Sequence, residues 1–191
     1  MQTRTKLSVY LEIIAWILAG AVLLGALLYF NVFQKNESLR VYGEGEECFN
    51  FEAELYRNAG CDGGTYTPKV SRGQVTVLNF WYISCGPCLA ELPHFNDVQA
   101  EFGDRIRVIA LHSHSADSER DKQDFINKNF ADYVISFAQD TENFKIFEHL
   151  GGKNAYPMTV ILDQNGIIRF IRQGGMGKEE LKTEIEKLLT P

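Results

Sequence analysis

The pattern of apolar and polar positions divides the chain into one long apolar run near the N-terminus and a series of shorter β-rich and amphipathic segments. The most continuous β-rich segment is Val75–Tyr82, whose composition is typical of a strand that helices cover on both faces. Apolar residues then recur at helical spacing between Leu92 and Phe102. The pattern therefore predicts a buried strand that leads directly into a helix.

Further segments of both kinds follow along the chain. Alternating or β-rich runs predict strands, and apolar residues at helical spacing predict helices. The predicted strands are Cys48–Tyr56, Ile106–Ala110, Ile135–Ala138, Met158–Leu162 and Ile167–Ile171, and the predicted helices lie within Asp121–Tyr133, Phe144–Leu150 and Lys178–Leu189. Asn58–Tyr66 has turn chemistry, and the Asn-Gly loop between the last two strands indicates an antiparallel hairpin. The sequence predicts an α/β fold with a mixed central sheet and helices on both faces.

The N-terminal apolar run has the length of a membrane-spanning helix. Ile13–Phe30 spans 18 residues, about 27 Å as a helix, which is enough to cross or nearly cross a bilayer. Arg4 and Lys6 precede the run. The positive-inside rule then places residues 1–12 in the cytoplasm and the rest of the chain outside the cell membrane.

A cleaved signal peptide is the alternative interpretation of this run. Its apolar core is about 7–15 residues long and is followed by a small-x-small cleavage site. The run instead ends in Leu28–Phe30, which suits the interfacial aromatic belt of an uncleaved anchor. We expect a transmembrane anchor at 13–30, a polar linker at 31–45 and one domain at 46–191.

Composition and charge narrow the classes of partner. The chain has 191 residues, of which 45% are hydrophobic and 23% are charged, and this composition fits one globular domain with a short additional element. The net charge is −6, and the sequence contains no run of basic residues that a phosphate backbone would need. These features argue against a nucleic-acid partner.

The motif Cys85-Gly86-Pro87-Cys88 lies between the predicted strand and helix. A thiolate is the attacking species in disulfide exchange, and the N-terminus of a helix favours an anion, so Cys85 is the expected nucleophile. Cys88 follows one helical turn later, close enough to resolve a mixed disulfide. Pro87 is tolerated in the first turn of a helix and stiffens the loop. The motif predicts a redox-active disulfide and no other cofactor.

A structural disulfide and half of a zinc site are the other interpretations of the motif. Zinc needs two more ligands at suitable spacing, and the remaining cysteines and the histidines of the next strand supply no second CxxC motif. His112 and His114 alternate at one strand end, and we interpret them as a polar strand terminus because two ligands are too few for a metal. We expect no metal site.

Six features of the sequence carry a family resemblance: Cys48–Phe51, Leu78–Trp81, the CGPC motif, Glu91–Pro93, Tyr156–Pro157 and Asp163–Gly166. Together, over about residues 46–191, they resemble the membrane-anchored, extracytoplasmic thiol–disulfide oxidoreductases of the TlpA-like family. The resemblance implies a thioredoxin-like fold and thiol–disulfide exchange at Cys85 and Cys88.

The resemblance also implies roles for residues around the motif. Pro157 is identified as the cis-proline that lies against the active-site disulfide, and Tyr156 would then contact the substrate. Trp81 either packs beneath the site or is an ordinary core residue. Gly86 and Pro87 complete the residues that shape the site.

Two positions depart from the thioredoxin pattern. Asn79 stands where many thioredoxins have a buried aspartate that accepts a proton from the second cysteine, and an amide cannot accept it. Glu91 is the nearest carboxylate in sequence that could relay this proton, although a solvated surface position is the favoured interpretation. Ser84 stands where thioredoxins usually have tryptophan.

Cys48 and Cys61 form a second group of cysteines. Outside the cytosol we expect them to form a structural disulfide that closes a loop of about a dozen residues and contributes on the order of 2–3 kcal/mol. A free buried cysteine and an electron relay to Cys85 are the alternatives.

The expected function is the reduction of disulfides in extracytoplasmic proteins. The CGPC motif favours a reducing couple, and the resemblance implies a membrane thiol donor and, among the processes served, cytochrome c maturation. A thiol-dependent peroxidase on the same fold and a non-catalytic adaptor that binds clients at Pro157 are the two alternatives.

Overall fold

The structure, a computed structural model, describes residues 6–35, 40–115, 117–153 and 155–190. The residues up to 39 and the residues from 40 onward form two compact units. Of the predicted cytoplasmic segment 1–12, residues 1–5 lie outside the described residues, and so do residues 36–39 of the predicted linker.

The described residues of the N-terminal unit form one helix, α1, at Lys6–Lys35. Its segment Tyr10–Leu28 has a mean hydropathy of 2.4 and is long and apolar enough to cross a membrane. The helix includes the predicted anchor 13–30 and extends five residues into the predicted linker.

The second unit contains a seven-stranded sheet and four α-helices within its described residues. The strands are β1 (Ala53–Asn58), β2 (Cys61–Tyr66), β3 (Val75–Trp81), β4 (Ile106–His112), β5 (Ser136–Asp140), β6 (Met158–Leu162) and β7 (Ile168–Gln173). The helices are α2 (Gly86–Phe102), α3 (Glu119–Asn129), α4 (Thr141–His149) and α5 (Lys178–Leu189), with short 3-10 turns at Pro68–Ser71 and Gly103–Arg105.

The sheet is mixed, with the strand order β2-β1-β5-β4-β3-β6-β7. β3 pairs in parallel with β4, and β4 pairs in parallel with β5, while the remaining pairs are antiparallel. Val77 and Trp81 of β3 belong to the core cluster that contains residues of α2, α3 and α5, whereas Leu78 and Phe80 belong to the cluster that contains residues of α4. The predicted α/β fold with a mixed sheet and helices on both faces is confirmed.

The N-terminal part of the domain differs from the prediction. The first strand begins at Ala53 rather than Cys48, and the predicted turn at 58–66 contains β2, which forms a hairpin with β1. Glycine explains the difference, because Gly63 and Gly64 give the segment a turn-like composition while adopting φ of +90° and +103° inside the strand. Residues 40–45 of the predicted linker also contact the domain, since the Tyr42 N–H donates to the His149 carbonyl over 2.7 Å.

Candidate active site

The CGPC motif lies at the carboxyl end of β3, where α2 begins. Cys85 is the N-cap residue of α2, and its Sγ accepts the Cys88 backbone N–H over 3.2 Å. The Cys85 N–H donates to the Tyr82 carbonyl over 3.1 Å and so closes the turn between strand and helix. Cys85 and Cys88 form a disulfide with a Cα–Cα distance of 5.3 Å. This geometry places the Cys85 sulfur at the positive end of the helix dipole.

Burial differs between the two cysteines and the residues between them. Cys88 is fully buried and Cys85 is 4% exposed, while Gly86 and Pro87 are exposed. Any partner of the disulfide must therefore approach Cys85 across the exposed first turn of α2.

The Tyr156–Pro157 peptide bond is cis, as the resemblance implies. Phe80 pairs with Met158 in the antiparallel register of β3 and β6, so the residues that continue these strands, Trp81 and Pro157, come opposite each other next to the motif. The Tyr156 ring packs edge-on against Tyr82 at 5.1 Å between ring centroids. This edge of the site consists of the Tyr156–Pro157 backbone and two aromatic rings.

Trp81 is fully buried in the same core cluster as both cysteines. Its ring packs edge-on against His112 at 5.4 Å and against Phe137 at 5.7 Å. Trp81 is thus a core residue on the face of the sheet that α2 covers, and its role as a support of the site stays a prediction.

The structure contradicts the favoured interpretation of Glu91 as a solvated carboxylate. It is 4% exposed, and the Asn79 Nδ2 and the Met176 backbone N–H donate to its two oxygens over 2.7 and 2.8 Å. Burial raises the pKa of Glu91, and these hydrogen bonds together with the charge of Arg172 oppose the rise. Glu91 is buried because it lies on the face of α2 that packs against β3, one turn after Cys88. The carboxylate therefore comes from the helix, and Asn79 of the strand holds it in place.

The two histidines occupy different environments. His112 is fully buried, its Nε2 lies 2.8 Å from an oxygen of Asp117, and burial lowers its pKa. His114 stacks on Tyr82 at 4.7 Å. Within the described ranges, no group of three or more His, Cys, Asp and Glu side chains is arranged to hold a metal ion.

Cys48 and Cys61 are both free thiols, which corrects the predicted structural disulfide. The Cys48 N–H donates to the Gly166 carbonyl, between β6 and β7, over 2.9 Å. Cys61 is the first residue of β2, which is the opposite edge strand of the sheet. The β1–β2 hairpin thus carries the two cysteines apart.

Three polar residues near the site carry no motif in the sequence. Asp117 accepts the Ile83 backbone N–H over 3.3 Å in addition to its contact with His112, and Ser113 donates its hydroxyl to Asp140 over 2.7 Å. Asp140 and Ser113 each come two or three residues after the end of a predicted strand, and this position is the sequence signal that could have found them.

A mixed sheet of this topology with a CxxC disulfide at the start of α2 defines the class of thioredoxin-like thiol–disulfide oxidoreductases. The chain belongs to the AhpC/TSA family, which it matches over residues 45–171.

Individual relatives agree with this assignment. The chain is 29% identical to the thioredoxin-like protein YneN of Bacillus subtilis, with 88% of this chain and 96% of the relative covered. It is 28% identical to the thiol–disulfide oxidoreductase ResA of Bacillus cereus, with 92% and 93% covered. The relatives confirm the resemblance to the TlpA-like proteins.

Solved structures confirm the thioredoxin-like fold. An exposed lipoprotein thioredoxin of Streptococcus pneumoniae superposes with a TM-score of 0.63 and 26% identity over 73% of this chain and 100% of the other. A DsbE-type thiol:disulfide interchange protein of Chlorobium tepidum superposes with a TM-score of 0.64 and 24% identity over 78% and 99% of the two chains.

The environments of the free cysteines predict unequal reactivity. Burial, with a smaller contribution from the charge of Glu47, raises the pKa of Cys48 to about 12, which leaves roughly one thiol in ten thousand ionised at pH 8. Cys61 is only partly buried. In the oxidised protein at pH 8, we expect iodoacetamide to alkylate Cys61 at least about 100-fold faster than Cys48.

Mass spectrometry of the digested protein measures both rates, and alkylation after unfolding without reductant is the control. Two thiols per chain are then expected. A count of zero would show that Cys48 and Cys61 are joined after all.

Proposed function

We propose that the protein is a membrane-anchored, extracytoplasmic thiol–disulfide oxidoreductase that reduces disulfides in other proteins through Cys85 and Cys88. The observation that carries this proposal is the position of the Cys85 sulfur, which accepts a backbone N–H at the start of α2 and is joined to Cys88. An anionic sulfur is stabilised there by the helix dipole and by that hydrogen bond.

The reaction begins with the reduced dithiol. The Cys85 thiolate attacks one sulfur of the client disulfide, so that a Cys85–client bond forms and the other client sulfur leaves as a thiolate, which takes up a proton. The Cys88 thiolate then attacks the Cys85 sulfur and releases the second client thiolate. The client gains two electrons, and the Cys85–Cys88 disulfide of the present structure is the product form.

Glu91 is the proposed proton acceptor for Cys88. It lies one helical turn after Cys88 and is held by Asn79 and the Met176 backbone. Because burial raises the pKa of its carboxyl group, the group is closer to the pH at which a thiol proton must be moved than a solvated glutamate would be. Asn79 acts as a positioning residue by donating to the carboxylate.

In this proposal, the client binds to the surface around the disulfide. Gly86 and Pro87 are exposed beside Cys85, and Tyr156 and Pro157 continue strand β6 next to them. An extended client segment can place its disulfide over Cys85 while its backbone pairs with the Tyr156–Pro157 edge. Trp81 supports this surface from below.

The proposed direction and partners follow from the motif and the relatives. CGPC favours a reducing couple, and oxidised Cys85–Cys88 must then be reduced by a membrane thiol donor. Extracytoplasmic proteins with disulfides, apocytochrome c among them, are the proposed clients, and ResA of Bacillus cereus is a named relative. Helix α1, with Arg4 and Lys6 on its cytoplasmic side, is the proposed anchor, and the domain lies outside the membrane.

Replacement of the resolving cysteine tests the proposal directly. In Cys88→Ala the first step proceeds but the second cannot, so client proteins should accumulate in a mixed disulfide with Cys85. On non-reducing gels of membranes from cells that express Cys88→Ala, we expect bands of the trapped complexes. Dithiothreitol should remove these bands because it cleaves the mixed disulfide. Mass spectrometry of the trapped species identifies the clients.

Three controls separate the alternatives. Cys85→Ser and the double variant Cys85→Ser/Cys88→Ala should trap nothing, and a phenotype that survives Cys85→Ser would favour the non-catalytic adaptor. Rapid consumption of hydrogen peroxide by the reduced wild type would favour the peroxidase. A reduction potential close to about −120 mV, the value of a strong oxidant, would contradict the reducing direction.

Glu91→Gln tests the proton acceptor. The variant keeps the shape of the side chain and loses its basicity, so resolution of the mixed disulfide should slow by about 10²-fold or more. In the wild type, the rate should rise with pH as Glu91 ionises. Stopped-flow measurement of the second step checks both effects, with the exposed Glu101→Gln on the same helix as the control.

The stability of the same pair of variants provides an independent check. The pKa of Glu91 is raised in the folded state, so its contribution is fully present below the unfolded-state pKa and is lost as pH rises through the folded-state pKa. The stability difference between Glu91→Gln and the wild type should therefore shift in favour of the variant as pH rises. A constant difference between pH 4 and pH 8 would contradict the buried position.

The anchor makes a separate prediction. The mature protein should keep its full length and remain in the membrane after a carbonate wash, whereas a chain that starts at residue 36 should be released. Loss of roughly 20–30 residues from the N-terminus would instead identify a cleaved signal peptide.

A further inference from the structure

A second buried carboxylate, Asp140, lies near the Tyr156–Pro157 edge and takes no part in the dithiol reaction. Asp140 ends strand β5 and is 1% exposed. Its Oδ1 accepts the Ile146 N–H over 3.2 Å, and its Oδ2 accepts the Phe147 N–H over 3.0 Å and the Ser113 hydroxyl over 2.7 Å. The carboxylate thus joins helix α4 to the end of β4.

Ser113 continues the connection toward the active site. Its backbone carbonyl accepts the Tyr156 hydroxyl over 2.5 Å, and its N–H donates to the Trp81 carbonyl over 3.0 Å. One residue therefore contacts Asp140 through its side chain, and Tyr156 and the end of β3 through its backbone.

Phe147 provides a second connection between the same two residues. Its backbone N–H donates to Asp140, and its ring stacks on the Tyr156 ring at 4.4 Å with an interplanar angle of 7°. Asp140 thus orders both the hydrogen-bond acceptor and the stacking partner of Tyr156.

We propose that Asp140 is a positioning residue for client binding, which fixes the Tyr156–Pro157 edge through Ser113 and Phe147. This inference rests on the proposed function, because it assigns a role in recognising the client of the Cys85–Cys88 dithiol. With its hydroxyl committed to Ser113, Tyr156 presents its ring rather than a hydrogen-bond donor to the client. The edge therefore selects an apolar or aromatic side chain next to the client cysteine.

The charge state of Asp140 links this edge to pH. Burial raises the pKa of Asp140 to about 6, with a further rise from the charge of Glu148, while the hydrogen bonds from Ser113, Phe147 and Ile146 oppose the rise. Other titratable or charged groups lie on the elements around it: Lys145 and His149 on α4, Glu52, Glu54 and Arg57 on the β1 side, Arg107 and His112 on β4, and the phenol of Tyr156. Above pH 6 the carboxylate makes charge-assisted hydrogen bonds, which are stronger than those of the neutral acid.

The test combines Asp140→Asn, Tyr156→Phe and the double variant. The steady-state constants of the full-length protein are measured in detergent between pH 5 and pH 8 with insulin, and dithiothreitol supplies the electrons that regenerate the Cys85–Cys88 dithiol. The rate constant for the small disulfide 5,5′-dithiobis(2-nitrobenzoate) is measured in a single turnover of protein that has been reduced and freed of dithiothreitol. At pH 7.5 each single variant should raise KM for insulin about two- to tenfold, the effect of one lost hydrogen bond. The double variant should raise it by less than the product of the two single effects, because both changes weaken the connection through Ser113.

The pH profile supplies a readout that a purely structural role would not move. The wild-type KM for insulin should fall as pH rises through 6, and Asp140→Asn should abolish this step. The constants for the small disulfide should change less than about twofold, because that substrate reaches Cys85 without the Tyr156–Pro157 edge.

Asp163→Asn is the matched control, since Asp163 is a buried carboxylate in the β6–β7 turn, away from this connection. It should leave KM and its pH step unchanged. Ser113→Ala, which removes only the hydroxyl that donates to Asp140, replaces Asp140→Asn if that variant does not fold. It should raise KM for insulin in the same range and reduce the pH step without abolishing it, because Asp140 still accepts the Phe147 N–H.

Additive effects of Asp140→Asn and Tyr156→Phe, or an unchanged pH step in Asp140→Asn, would overturn the inference while the wild type still reduces both disulfides. A wild type that reduces neither substrate would instead overturn the proposed function and the inference with it.

Discussion

The site depends on the burial of strand β3. All seven residues of the strand are buried, and it is hydrogen-bonded to β4 on one side and to β6 on the other. Its carboxyl end therefore cannot shift without disturbing the sheet. The short turn that follows, closed by the Cys85 N–H on the Tyr82 carbonyl, transmits this rigidity to the first turn of α2. A sulfur held in this way meets the helix dipole in one fixed geometry.

Two buried carboxylates lie on opposite faces of the sheet near this strand. Glu91 lies on the α2 face, one helical turn after the second cysteine, and Asp140 lies on the α4 face, behind the Tyr156–Pro157 edge. Burial raises the pKa of both groups, and backbone N–H donors hold both of them in place. In the proposed mechanism, proton transfer and client positioning therefore use separate residues on opposite faces of the sheet.

Local patterns were sufficient to predict most of the fold. The apolar run of β3, the Asn-Gly loop and the amphipathic pattern of α5 each report on neighbours in sequence, and the structure has these elements where the patterns place them. Cys85 and Cys88 were found by the same kind of signal. Their catalytic roles remain predictions.

Long-range packing decided the features that sequence reasoning missed. A glutamate on an amphipathic helix is usually exposed. Glu91 is a buried hydrogen-bond acceptor because the folded chain brings Asn79 and the Met176 backbone next to it. The predicted disulfide between Cys48 and Cys61 is wrong because the glycine-rich segment that begins at Cys61 forms strand β2 and not a turn. Cys61 therefore lies at the edge of the sheet, away from Cys48. The Asp140–Ser113–Tyr156 connection joins three segments, and no spacing rule relates them.

The glycines of β2 affect how the edge of the sheet can interact with other proteins. β2 is an edge strand of the sheet, and a regular edge with free backbone groups is a template for aggregation. Positive φ angles at Gly63 and Gly64 break the regular pleat of this edge, and at the opposite edge the Glu44 side chain accepts the Ile171 N–H over 3.1 Å. Proteins whose disulfides are accessible can also have unpaired strands, and such strands would find no regular edge on this sheet to which they could add.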